Sequence, residues 1–167
     1  RETLERARAA RRLVFCVIAI PQQPAFQSVL ADLVEDPEVV RTINNSYVPV
    51  MIDGDAARDM GILTSDLCVE INRGFNLPLF LWITCEGNPV AWIPAVSRDP
   101  GEIRRLFNQS HGMVSQMWND STEYVLKNSR LDNESRRTRI QQRKIVRSTS
   151  QQPEVDVLRG FRQLVSL

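Results

Sequence analysis

Eight consecutive apolar residues, Leu13-Val14-Phe15-Cys16-Val17-Ile18-Ala19-Ile20, run without a polar interruption into Pro21-Gln22-Gln23-Pro24-Ala25-Phe26. A strand exposed on one side alternates apolar with polar residues. An unbroken, largely β-branched run of this length is a strand covered on both faces. Such strands belong to α/β folds, where helices cover the sheet. Pro21 ends the run. Pro24 suits the first position of a helix, where the missing N–H has no intrahelical partner to lose. Gln22–Phe26 is therefore the strand–helix junction where α/β proteins commonly place their chemistry. It holds amides, prolines, an alanine and a phenyl ring, and no acid, base or nucleophile.

The remaining chain supplies the layers. Residues 2–12 are strong helix formers with Leu4, Ala7 and Ala10 on one face and Arg11 and Arg12 in the last turn. Phe26, Val29, Leu30 and Leu33 form a helical stripe behind Pro24. Asp36-Pro37-Glu38 starts a new helix with Asp36 as its cap and Val39, Val40 and Ile43 facing inward; Asn44-Asn45-Ser46 closes it. Tyr47–Ile52 reads as a second apolar strand, and residues 56–73 as a helical connection stopped by Gly74. Leu77–Ile83 and Val90–Ile93 are a third and a fourth strand. The short turn Glu86-Gly87-Asn88-Pro89 between them permits only a hairpin. From Pro100 one long amphipathic helix is expected, with Ile103, Leu106, Phe107, Met113, Val114, Met117, Trp118 and Val125 at helical spacing. The helical crossover makes the first two strands parallel and right-handed. The order predicts an α/β, thioredoxin-like fold: a central mixed sheet of about four strands flanked by helices, with a C-terminal helical extension.

Total charge is nearly balanced at +1, but its distribution is not. Residues 1–126 hold 11 Lys and Arg against 16 Asp and Glu. Residues 127–147 hold eight Lys and Arg against Asp132 and Glu134. This divides the chain into a domain over 1–126, a basic polar linker or helix end over 127–152, and the start of a further helical region over 153–167. That last stretch carries Val155, Leu158, Phe161, Leu164 and Val165. The basic stretch lacks interleaved aromatic residues, so a solvated linker is favoured over nucleic-acid binding. The longest apolar run falls far short of the ~20 residues of a membrane span, so no membrane association is expected.

Cys16, Cys68 and Cys85 form no Cys-x-x-Cys pair, and His111 is the one histidine. No metal site is expected from that set. Unpaired thiols suit a reducing compartment, so a cytoplasmic location is expected unless a targeting segment has been removed. Cys16 and Cys85 are expected in the core or at its rim, and Cys68 at the surface. None lies at a helix start beside a base, so none is assigned a catalytic role. Asp53 and Asp55, flanking Gly54, are read as turn-forming residues rather than metal ligands. His111 is read as a structural histidine.

Several segments together are similar to a known family. They are Val14-Phe15, Pro24 and Phe26; Leu33-Val34-Glu35-Asp36-Pro37-Glu38-Val39-Val40; Ile43-Asn44-Asn45 and Tyr47-Val48-Pro49-Val50 with Ile52-Asp53; Leu77-Pro78-Leu79-Phe80-Leu81; and Gly87-Asn88-Pro89. They resemble the N-terminal thioredoxin-like domain of the YyaL/spermatogenesis-associated family over roughly residues 3–125. Members of that family join this domain to an all-helical six-hairpin toroid of glycosidase or epimerase type. The resemblance implies that the chain is the N-terminal part of a longer protein. The thioredoxin-like domain of ubiquitin-regulatory adaptor proteins is similar in outline, with its signature residues poorly matched.

The family carries a Cys-x-x-Cys at the first strand–helix junction. Aligned on Phe15 and the Glu-Asp-Pro-Glu block, those positions fall on Gln23-Pro24-Ala25-Phe26. Disulfide exchange needs an attacking thiolate and a resolving thiol, and neither is there. The acidic, Pro-containing run that follows the family's second strand reads Asp53-Gly54-Asp55-Ala56-Ala57-Arg58-Asp59 here, so Asp53 and Asp59 match it only in part. Leu77-Pro78 aligns with the cis-proline that abuts the active-site loop in thioredoxin folds. The expected site is thus a groove at a former redox centre, formed by Gln22, Gln23, Pro24, Ala25, Phe26, Leu77 and Pro78. It has no catalytic residue and no cofactor. The expected function is a redox-inactive structural or protein-interaction module, partnered by its own C-terminal domain, a second copy or a peptide. The alternatives are an accessory domain of a carbohydrate-active enzyme and a residual thiol–disulfide oxidoreductase.

Overall fold

The structure, a computed structural model, describes residues 1–53, 78–94 and 101–150. The chain divides into two compact units, Arg1–Asn133 and Glu134–Leu167. Along the described residues run α1 (Glu2–Ala10), β1 (Leu13–Ala19), α2 (Pro24–Val34), α3 (Pro37–Ser46), β2 (Tyr47–Asp53), β3 (Leu79–Ile83), β4 (Pro89–Pro94), α4 (Glu102–Asp120) and α5 (Thr122–Ser150).

In the first unit the strands lie in the order β2-β1-β3-β4. β1 pairs in parallel with β2, from Leu13 opposite Tyr47 to Ala19 opposite Asp53. It pairs antiparallel with β3, from Val14 opposite Ile83 to Ile18 opposite Leu79. β3 and β4 form the expected hairpin. The mixed sheet with helices on both faces is the α/β, thioredoxin-like arrangement.

Every residue of β1 is buried because the strand is interior and both faces are covered. Leu13, Phe15, Val17 and Ala19 face a core completed by Phe26 and Leu33 of α2, Val39 of α3, and Ile103, Phe107 and Val114 of α4. Val14, Cys16 and Ile18 face a smaller core closed by Ala7 and Leu4 of α1. Phe15 is the centre of the larger core. Its ring lies 5.1 Å from Trp82 and 5.3 Å from Phe107. Burying an aromatic or aliphatic side chain of this size contributes about 1.5–3 kcal/mol. The two edge strands carry Pro49 in β2 and Pro89 and Pro94 in β4. Proline cannot donate to a ladder, so both edges are poor templates for adding a strand.

Local boundaries follow capping chemistry. The Asp36 side chain accepts from the Glu38 N–H at 2.9 Å, as its position predicts. α1 stops at Ala10 rather than Arg12, because Arg11 turns left-handed (φ 53°) and the Arg12 N–H closes on Ala7 O. β3 begins at Leu79, just after Pro78, which has no N–H for the ladder. The single helix expected from Pro100 is two helices. Ser121 leaves the helical conformation (φ −160°, ψ 87°), and its hydroxyl accepts from Tyr124 N to start α5. The α4 N-terminus is capped from another helix: the Gly101 N–H donates to Asp32 Oδ1 at 2.6 Å.

In the second unit, the described residues Glu134–Ser150 continue α5. Thr138 Oγ1 donates to Glu134 O, and Arg139 donates to Ser135 Oγ at 2.8 Å. The expected helical region over 153–167 and the connection over 56–73 lie outside the described residues. Among the described residues no helix is long and apolar enough to cross a membrane.

Candidate functional site

β1 delivers the chain to one end of the sheet, where a two-residue turn, Pro21-Gln22, leads to Gln23 as the α2 N-cap. Gln23 is extended (φ −74°, ψ 127°) and its side chain makes no cap bond. The junction is tied instead by backbone: Gln23 N–H to Ile20 O and Phe26 N–H to Gln23 O, each at 3.0 Å. Pro24 occupies the first turn as predicted. Gln22, Gln23 and Pro24 are exposed, whereas Phe26 turns its ring into the larger core. The first turn of α2 has no acidic side chain to offset the positive end of its dipole.

Pro78 is buried and directly precedes Leu79, which pairs with Ile18 near the end of β1. Pro78 therefore lies at the same end of the sheet as the α2 N-terminus. Gln22–Phe26 and Pro78 are brought to one end of the fold; Leu77 and the side chain of Ala25 lie outside the described residues.

The described thiols are elsewhere. Cys16 is mid-strand on the face covered by α1, the opposite face from α2. Burial pushes its thiol up to about 12, so it stays protonated. Cys85 follows β3, whose last residue Ile83 lies opposite Val14 at the start of β1, the far end of the sheet from the α2 N-terminus. Arg1, Leu4, Glu5, Arg8 and Glu86 surround it in a shallow pocket. Cys68, Gly54 and Asp55 lie outside the described residues, and Asp53 closes β2. Among the described residues no group of three or more His, Cys, Asp or Glu side chains is placed to hold a metal ion.

Two polar clusters were not foreseen. Tyr47 and His111, 64 residues apart, meet at 2.6 Å. The spacing from Phe107 to His111 is one helical turn, which puts His111 on the buried stripe of α4 and was the available signal. The β3–β4 turn also captures α5. Arg130 forms a bidentate pair with Glu86 (2.6 and 2.7 Å), and Asn133 Nδ2 donates to Asn88 Oδ1 at 2.7 Å.

Chemically, the α2 N-terminus offers carboxamides, backbone N–H groups and a proline. Such a surface can hold a polar chain by hydrogen bonds, but its described side chains cannot carry electrons or attack a disulfide. The model of the family Thioredox_DsbH, described as "Protein of unknown function, DUF255", matches residues 1–135. No curated protein matches the chain.

Proposed function

The chain belongs to the Thioredox_DsbH family, and from that premise we propose that it is a redox-inactive thioredoxin-like domain serving as a structural or protein-interaction module. The observation that carries this reading is the first turn of α2. Gln23-Pro24-Ala25-Phe26 stands where a dithiol would be, and the residue at its fourth position is committed to the core. Neither described cysteine is near it: Cys16 faces α1, and Cys85 is at the other end of the sheet. The helix dipole that would lower a thiol pKa has no thiol to act on.

In this reading the exposed turn Gln22–Pro24 and the buried Pro78 form a surface for an extended peptide, held by backbone and carboxamide hydrogen bonds. Its free thiols suit a reducing compartment, the cytoplasm.

Insulin reduction by dithiothreitol tests the central claim. The chain is expected to add nothing to the rate of dithiothreitol alone. An acceleration that disappears on changing Cys16, Cys68 or Cys85 to Ser would overturn the reading and assign a thiol enzyme instead.

A further inference from the structure

One face of α4 breaks a local rule. Gly112 lies near the midpoint of this 19-residue helix and is exposed. A Cβ added there meets nothing within 4 Å, and the backbone is not left-handed. Neither packing nor conformation among the described residues calls for glycine, yet it costs the helix about 1 kcal/mol relative to alanine. Asp120 ends the same helix. Asp120 also stands just before the α5 N-terminus, and it is exposed with no ion pair to it among the described residues.

These residues share a stripe. Arg105, Gln109, Gly112, Gln116 and Asp120 follow at spacings of three or four, with Met113 beside Gly112, and all are exposed. Met113 is 58% exposed, and Met117, one turn on, 44%. The stripe carries Arg105 near its start, the exposed Met113 at its middle and Asp120 at its end. A surface with that order complements itself when turned end for end, which is the condition for a two-fold interface.

We infer that α4 is a homodimer face. Two copies pair α4 antiparallel and cross at Gly112, where the missing Cβ lets the backbones approach. Met113 and Met117 fill the space beside the crossing, a role suited to flexible thioethers. Arg105 of each copy meets Asp120 of the other and supplies the ion pair that Asp120 lacks among the described residues. The 3.5 Å contact of Arg105 with Glu102 on its own helix does not compete strongly, since Arg105 is 74% exposed in it. This face uses none of Gln22–Phe26 and stands whichever way the insulin assay falls.

Sedimentation equilibrium of the full chain over a concentration series tests it. The chain is expected to dimerise reversibly. Gly112→Gln favours the helix in the monomer, so weaker association in it cannot come from lost folding; thermal melts of the dilute protein check the same for Asp120→Arg, at the end of α4 just before the start of α5. Each should weaken the dimer by about tenfold or more. Combining Arg105→Glu with Asp120→Arg should restore association to about the wild-type level. A monomer at every concentration overturns the proposal. So does a dimer whose affinity neither single change alters, or one that the charge swap fails to restore.

Discussion

The phenol oxygen of Tyr47, the first residue of β2, lies 2.6 Å from Nδ1 of His111 in α4. The rings meet edge to face at 5.6 Å, and His111 stacks on Phe107 at 6.0 Å. Burial drives both groups toward neutrality. It pushes the Tyr47 phenol up to about 12, against a smaller opposing pull from the Trp82 indole, and pulls the His111 imidazole below its ordinary value. The Trp82 indole nitrogen is itself buried without an acceptor at hydrogen-bond geometry. With His111 protonated on Nε2, the phenol donates to Nδ1. The contact thus joins the end of α3 and the start of β2 to α4 through two uncharged rings.

That relationship makes stability depend on pH in one direction. The folded state holds His111 neutral more strongly than the unfolded chain does, so the unfolded chain binds more protons below about pH 6.5. Stability is expected to be flat above that pH and to fall as pH drops through it. His111 is the chain's one histidine, so His111→Gln should flatten urea midpoints between pH 5.5 and 7 (a window of roughly the histidine range). A midpoint that rises as pH falls through this window would contradict the burial argument.

The two described cysteines should differ in reactivity. Cys16 is 1% exposed, with its thiol pushed up to about 12. At pH 8 about one molecule in ten thousand carries the thiolate, the form that alkylates. Cys85 is half-buried at the β3–β4 turn. In a Cys68→Ser background, iodoacetamide is expected to label Cys85 in the native protein, and Cys16 only after denaturation. Native labelling of both at equal rates, read by peptide mapping, would place Cys16 outside the core.

How much of this was legible follows from range along the chain. β1 was legible because its signal, eight apolar residues and a proline, is contiguous. So was Asp36, because a cap acts two residues away. The Gln22–Phe26 junction was legible for the same reason. The break at Ser121 was not, although Asp120-Ser121-Thr122 is a capping sequence: the apolar stripe from Ile103 to Val125 carries across it and hides the stop. The Tyr47–His111 bond and the pairing of Glu86 with Arg130 join residues 64 and 44 apart. No local pattern encodes such partners; the sheet order and the helix packing choose them.

The β3–β4 turn is organised from inside by Thr84, whose side chain is fully buried. Its hydroxyl accepts from the N–H groups of Glu86 at 3.3 Å and Asn88 at 3.2 Å, while its own N–H donates to Asn88 O at 2.9 Å. Thr84→Val keeps the shape and deletes the acceptor, leaving the buried Asn88 N–H unpaired, while the Glu86 N–H, at the exposed rim of the turn, can turn to water. Leaving such a group unsatisfied costs about 1–3 kcal/mol. The Glu86–Arg130 pair outside is shorter but exposed, so solvent screens most of its energy. The Arg130 guanidinium holds the Glu86 carboxyl below its ordinary value. The pair's contribution is therefore present above about pH 4.5 and lost as pH falls below it. At neutral pH, Glu86→Gln should lower the urea midpoint by a small fraction of what Thr84→Val does. If Glu86→Gln proves the more damaging change, the turn is held by its surface charge rather than by the buried hydroxyl, because only then would removing the carboxylate outweigh stranding the buried Asn88 donor.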